Sequence, residues 1–214
     1  MIGFIGGTGP EGRGLALRFA IAGEDVAIGS RDTERAVEAA KSVASHNPRG
    51  RVIWNSNTEI ARMSELIFIV VPYSAQRVTL EALQNDLDGK DIVNVVAPLS
   101  FEKGLAQAVR VEEGSAALES ANILKNSRIA AAFHNISAHE LLVPDLSLDT
   151  DVIVCCDDIC LKEKIIELAE RISGVRGVNG GGIVNARYVE DLTALLLNIN
   201  RIYKTNSMIK ITGI

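Results

Sequence analysis

The chain has 214 residues, 47% of them hydrophobic, with 22 Lys and Arg against 27 Asp and Glu for a net charge of -5. That length supports one substantial core, near the upper end for a single domain, and the acidic balance argues against nucleic acid as the main partner. No run approaches the roughly 20 apolar residues of a membrane span, and the N-terminal apolar run is one strand long and leads straight into glycines, unlike a signal peptide, so the expected setting is the cytoplasm, away from the membrane.

Met1 to Ile5 reads as a strand, Gly14 to Ala22 as a helix and Asp25 to Ile28 as a second strand. Between the first two lies Gly6-Gly7-Thr8-Gly9-Pro10-Glu11-Gly12, in which Gly7, Gly9 and Gly12 fill the glycine positions of G-x-G-x-x-G. In that motif the first glycine permits the tight turn, the second admits a pyrophosphate to the backbone, and the third lets the helix pack closely on the strand. Pro10 falls in the first helical turn, where a missing N–H costs least. Strand, glycine turn, helix and strand together predict a dinucleotide site.

The end of the second strand sets which dinucleotide is bound. An NAD site usually carries a carboxylate there for the ribose 2′-hydroxyl, whereas this chain has Ser30 and Arg31, with Arg35 four residues on. A hydroxyl and two guanidinium groups suit a 2′-phosphate, so NADP is expected, with Arg31 and Arg35 converging from one helix face.

Thr33 to Ser45 reads as the second helix, with His46 exposed at its end, Arg51 to Trp54 as a strand, and Asn57 to Arg62 as a short helix or turn. Leu66 to Val71 is a continuous apolar run, expected to be a strand buried on both faces of a parallel sheet. Pro72 ends it, Ser74 is expected to cap the helix to about Leu87, and Val71, Pro72, Tyr73 and Ala75 should line the cofactor floor at the carboxyl ends of the strands. Asp91 to Val96 follows as a strand, residues 99 to 113 lack periodicity like a connecting loop, and Gly114-Ser115-Ala116-Ala117 opens a helix of small residues. Arg128 to Phe133 is a further strand, with His134 at its mouth and His139 in the helix after it.

Asp151 to Cys155, Leu161 to Ile172 and Val175 to Val178 read as strand, helix and strand. Gly180 to Gly182 turns the chain into a long amphipathic helix from Asn185 to Tyr203, and Met208 to Thr212 reads as a last strand. Cys155, Cys156 and Cys160 do not have zinc-knuckle spacing and are expected to be structural thiols. The fold expected is α/β, a Rossmann-type doubly wound, mostly parallel sheet with a small C-terminal α/β extension. Residues 1–133 form the NADP-binding core. Residues 134–214 extend it, compact enough to share one domain, and the long helix has apolar surface to spare for a homodimer contact.

A hydroxy-acid dehydrogenase needs a proton acceptor beside the hydride donor, but the chain has no Tyr-x-x-x-Lys, no G-x-S-x-G, no H-E-x-x-H and no Walker sequence. Hydride exchange between two redox cofactors would explain this, because the protein then mainly stacks two rings at reacting distance. An NADPH-dependent reductase of a flavin, ferric chelate or small carbonyl is one alternative reading of the residues, and a non-enzymatic NADP(H)-sensing protein another.

The chain resembles the NADP reductases that use the deazaflavin coenzyme F420 of methanogenic and related archaea. The resemblance runs from the glycine turn and Gly14-Leu15-Ala16-Leu17-Arg18 through Ile28-Gly29-Ser30-Arg31, Val71-Pro72 and Gly114 to Ala117. It continues through Phe133-His134-Asn135-Ile136-Ser137-Ala138 to Asn185-Ala186-Arg187 and Leu192 to Asn198. It implies reversible hydride transfer between nicotinamide C4 and deazaflavin C5. It also implies a pyrophosphate held at Thr8, Gly9 and the turn after them, a 2′-phosphate held by Ser30, Arg31 and Arg35, and F420 contacts from His134 and Ile136. His134 would then be a positioning residue, with no acid–base role, and the protein a homodimer. Two residues depart from the family pattern. Glu11 stands in the phosphate turn, where an inward-pointing anion would weaken binding, and Ala194 replaces a common proline in the last helix.

Overall fold

The computed structural model describes residues 1–214. Its first half alternates strand and helix: β1 Ile2–Ile5, α1 Pro10–Ile21, β2 Val26–Ser30, α2 Thr33–Ala44, β3 Val52–Ser56, α3 Asn57–Met63, β4 Leu66–Ile69, α4 Tyr73–Leu87 and β5 Asp91–Asn94. The hairpin β6 Leu99–Glu102 and β7 Leu105–Ala108 interrupts the alternation before α5 Ala116–Ile123 and β8 Arg128–Ala131. Then come α6 Ala138–Leu141, β9 Thr150–Cys156, α7 Ile159–Glu170, β10 Val175–Asn179, a single 3-10 turn and α8 Ala186–Tyr203.

Eight strands form one sheet in the order β10-β9-β8-β5-β4-β1-β2-β3. The six from β3 to β8 are parallel and follow the doubly wound Rossmann order, whose direction reverses between β1 and β4. β9 joins β8 antiparallel through Ala130–Cys156 and Ala131–Cys155, and β10 runs parallel to β9. The C-terminal extension therefore widens the same sheet.

Helices on both faces explain why β1, β4 and β5 are buried throughout. One face is a 31-residue apolar cluster under α1, α2 and α7. At its centre Phe4, Phe19, Phe68 and Phe133 pack with ring centroids 5.1 to 6.5 Å apart, which seats α1 on the sheet. The other face, of 20 residues, packs α3, α4 and α5. Burying an aromatic or branched side chain in such a layer is worth about 1.5 to 3 kcal/mol.

Three expectations change. Residues 99–108 are a β-hairpin with Lys103 and Gly104 at positive φ in its turn. It is held by the Asn198 side chain of α8, which accepts from the Ala106 N–H and donates to the Ala106 carbonyl, both at 2.9 Å; a hairpin pinned by a distant side chain needs no alternating pattern of its own. Met208 to Thr212 is not a strand, because only the Ile209 carbonyl meets the β9 backbone, while Ile211 N–H donates to the Asp151 carboxylate at 2.6 Å. Ser74 does not cap α4: the cap residue is Pro72, and Ser74 lies inside the first turn. No helix is long and apolar enough to cross a membrane.

Candidate active site

A cavity of about 780 Å³ opens at the carboxyl ends of β1, β2, β4 and β5, where the strand order reverses. Its inner wall is the glycine turn. Gly6, not Gly7, takes the left-handed conformation, with φ at 74°, and a Cβ there would stand 2.5 Å from Val71 Cγ1. A Cβ on Gly12 would lie 2.6 Å from Gly7 Cα, so the helix passes this close to the turn only because Gly12 lacks a side chain, while a Cβ on Gly7 would meet Phe4 Cβ at 2.6 Å. Above Gly9, by contrast, nothing lies within 4 Å of a built Cβ. Gly9 is the N-cap of α1 and Pro10 its first residue, so the free N–H groups of a helix start face open space, the arrangement that receives a phosphate.

At the end of β2, Ser30 Oγ accepts from Asp32 N–H at 3.1 Å. Asp32 caps α2 by accepting from the N–H groups of Glu34 and Arg35. Arg31 therefore precedes the cap and Arg35 follows it, so the two are not neighbours on one helix face as the spacing suggested. They still line the same cavity with Ser30, because the capped turn reverses the chain between them. No carboxylate pairs with either guanidinium.

The structure gathers Thr8, Gly9, Glu11, Ser30, Arg31, Arg35, Val71, Pro72 and Ala75 around this cavity. Gly7, Pro10 and Gly12 support it from beneath without lining it, and His134 and Ile136 lie outside the lining. Glu11 does point inward. Its Oε1 is closed off from solvent without a hydrogen-bond partner, and burial pushes the carboxyl up to about 8. The feared repulsion is therefore relieved near neutral pH, where a protonated carboxyl has an O–H to donate.

Tyr73 forms part of the floor. Its hydroxyl donates to Glu119 at 3.3 Å, and burial, then the Glu119 charge, hold the phenol above its usual range. Behind it, Gln76 donates to Glu119 and to the Ala116 carbonyl, and Asn94 donates to Gln76 and Ser120 while accepting from Val96 N–H. This network ties the end of β5 to α4 and α5. From α8, Glu190 accepts from the N–H groups of Ala116 and Ala117 at 2.8 and 3.1 Å, and burial lifts its carboxyl to about 7.

His134 follows Phe133, which has φ at 69°, a costly conformation for an aromatic residue. The imidazole is buried with neither ring nitrogen partnered. Burial pushes it down to about 3, so it is neutral at working pH. Its carbonyl accepts from Thr193, and Asn135 donates to the Val189 carbonyl, fastening this turn to α8.

A family model for coenzyme F420-dependent NADP oxidoreductases matches residues 1–98. Over 221 aligned residues the chain is 41% identical to the F420-dependent NADP reductase of Methanothermobacter thermautotrophicus, covering 100% of this chain and 95% of that one. The chain belongs to the F420-dependent NADP reductase family. The reductase of that name from Methanocaldococcus jannaschii is 33% identical, over 100% of this chain and 98% of its own. A crystal structure from Arthrobacter sp. FB24 shares the fold with a TM-score of 0.84 at 22% identity, covering 99% of each chain. The 3-hydroxyisobutyrate dehydrogenase of Mycobacterium tuberculosis shares it more loosely, with a TM-score of 0.65 at 14% identity, over 94% of this chain and 61% of that one.

Within this member of the family, sequence reasoning missed Asn57. The residue opens α3, and its Oδ1 accepts from Gly6 N–H at 3.1 Å, clamping the left-handed turn. An Asn at a strand-to-helix junction was the available signal, though nothing local tied it to a glycine 51 residues earlier. Of the cysteines, Cys155 and Cys156 are buried in opposite core layers, and burial pushes Cys155 up to about 11. Cys160 is exposed at the start of α7 and contributes to neither core, so the expectation of a structural thiol fails there.

Proposed function

We propose that this protein transfers hydride reversibly between NADP(H) and coenzyme F420, using the cavity at the strand ends for the dinucleotide. The observation that carries the proposal is the convergence of an open helix N-terminus above Gly9 with two guanidinium groups that have no carboxylate partner. The nicotinamide supplies the hydride at C4 and the deazaflavin accepts it at C5. Thr8, Gly9 and the α1 N–H groups bind the pyrophosphate, while Ser30, Arg31 and Arg35 hold the 2′-phosphate. Val71, Pro72 and Ala75 present a dry floor to the nicotinamide ribose, and protonated Glu11 donates to the phosphate turn.

No side chain needs to move a proton. His134 and Ile136 position F420 by shaping the buried turn after β8 from beneath the cleft, with a neutral imidazole whose ring nitrogens are closed off from solvent. Residues 1–133 carry NADP, and residues 134–214 form the F420 cleft and the contact with a second copy. Supporting that contact, the outer surface of α8 exposes Tyr188, Leu195, Ile202 and Tyr203, and the hairpin adds Phe101 and Leu105. Three unpaired cysteines fit a reducing cytoplasm.

Stopped-flow mixing of the protein and NADPH with F420, with FMN and with ferric citrate tests the reading. NADPH absorption should disappear rapidly with F420 alone. Turnover with FMN or ferric citrate and none with F420 would overturn it.

A further inference from the structure

One residue past the last glycine of the motif, in the first turn of α1, Arg13 carries an Nε that is closed off from solvent and donates to nothing. A guanidinium is a cation with five N–H donors, and a buried charged donor without a partner is costly. Arg18, on the same helix, has all five donors engaged by carbonyl oxygens. Arg13 has not been provided for in this way by the fold.

Its surroundings say what is missing. Arg13 lines a second cavity of about 220 Å³ with Thr8, Arg35, Glu38 and Ala39. Thr8 and Arg35 also line the large cavity, so the two spaces share a wall between the glycine turn and the start of α2. Glu38 makes no ion pair with Arg13. Arg13 and Arg35 thus approach the small cavity from two helices, and Arg35 and Arg31 line the large cavity next to it, so Arg35 stands between the other two.

We propose that Arg13 is a further ligand of the cofactor's 2′-phosphate, closing on it from the α1 side and making the preference for NADP over NAD depend on three guanidinium groups. The proposal rests on the NADP reading above. A phosphate monoester brings about two negative charges and three acceptor oxygens, enough for Ser30 and three guanidinium donors at charge-assisted distance. An unphosphorylated ribose offers a hydroxyl in that place and leaves Arg13 as it stands now. The position belongs to no glycine signature, so the motif alone does not reveal it.

The test is equilibrium binding, read by nucleotide fluorescence, of NADPH and NADH to the full-length protein and to its Arg13→Gln and Arg13→Lys variants. Arg13→Gln should weaken NADPH by about tenfold and NADH by less than about twofold, as for one lost charge-assisted bond. Arg13→Lys should recover part of the loss, since it keeps the charge without the fork. Competition by adenosine 2′-monophosphate should weaken in parallel, while competition by adenosine 5′-monophosphate should not. Equal losses for NADPH and NADH, or no loss in a variant whose circular dichroism is native, would overturn the proposal. Arg31→Ala and Arg35→Ala run alongside separate the two claims. If they discriminate against NADPH and Arg13→Gln does not, only the role of Arg13 fails; if none of the three does, the NADP reading itself fails.

Discussion

Two turns of α1 put the same residue type to opposite uses. In the last turn, Arg18 is 3% exposed and donates to the carbonyls of Glu140, Leu141, Val143, Pro144 and Leu146, gathering the end of α6 and the chain after it against the core. In the first turn, Arg13 holds a buried donor with no acceptor. The contrast extends across the molecule. The network of Asn94, Gln76, Ser120 and Glu119 is deep and satisfied, while four of the five unpartnered buried atoms belong to Glu11, Arg13 and His134, the fifth being Ser64 Oγ beneath Gly3. Polar groups of that network are paired within the fold, and those of Glu11, Arg13 and His134 near the strand ends are not.

Stability gives the sharpest way to break this comparison. Arg18→Met should lower the unfolding free energy by about 3 kcal/mol or more, because five hydrogen bonds to a charged group vanish together. Arg13→Gln should not lower it, and should raise it if anything, because the variant no longer buries an unpartnered charged donor. Urea denaturation of the two variants without nucleotide decides, and equal losses would erase the distinction.

Ligand affinity sharpens it next. Replacing Arg31 and Arg35 together by alanine should raise the Kd for NADPH by at least about tenfold. NADH should bind nearly as before, and fluorescence titration reports both. A loss shared equally by the two nucleotides would assign these arginines to general charge.

Glu11 gives an effect with a definite sign. Its carboxyl is raised from 4.5 to about 8 by burial, so the folded protein keeps a proton that the unfolded chain releases. The stability this contributes is fully present below pH 4.5 and is lost as pH rises toward 8. Thermal melts should show native protein falling relative to Glu11→Gln over that window, and NADPH affinity should weaken above it in the native protein alone. Parallel curves for both proteins would mean that the carboxyl is ionised throughout.

His134 should give the smallest response. With its imidazole pushed down to about 3, kcat for hydride transfer should show no histidine ionisation between pH 5 and 8, a range wide enough to contain the ordinary pKa. Its contribution to stability is present above the ordinary value of 6.5 and is lost as pH falls toward 3. An inflection in kcat near pH 6.5 that disappears in His134→Gln would give the residue a proton-transfer role.

Much of the nucleotide half was legible because its signals are local. The glycine spacing, Pro10 in the first turn, the apolar run ending at Pro72 and the absence of a carboxylate after β2 each act within a few residues. Local reading failed where a distant group sets the conformation. Asn57 and Val71 decide that Gly6 is the left-handed residue, and the cap at Asp32 takes Arg31 off the helix that its spacing with Arg35 suggested. The hairpin is fastened by Asn198 from α8, and the C-terminal tail is held by the Asp151 side chain in place of a strand ladder.

By itself, then, the amino-acid order determined an alternating α/β chain with a phosphate turn and a preference for a phosphorylated ribose, since propensity, glycine geometry and charge act over short spans of chain. Only the tertiary structure decided that Glu11 turns inward and holds its proton, that His134 is sealed and neutral, and that Arg13 is left without a partner. Burial and pairing depend on what the rest of the chain brings alongside, and sequence spacing does not carry that information.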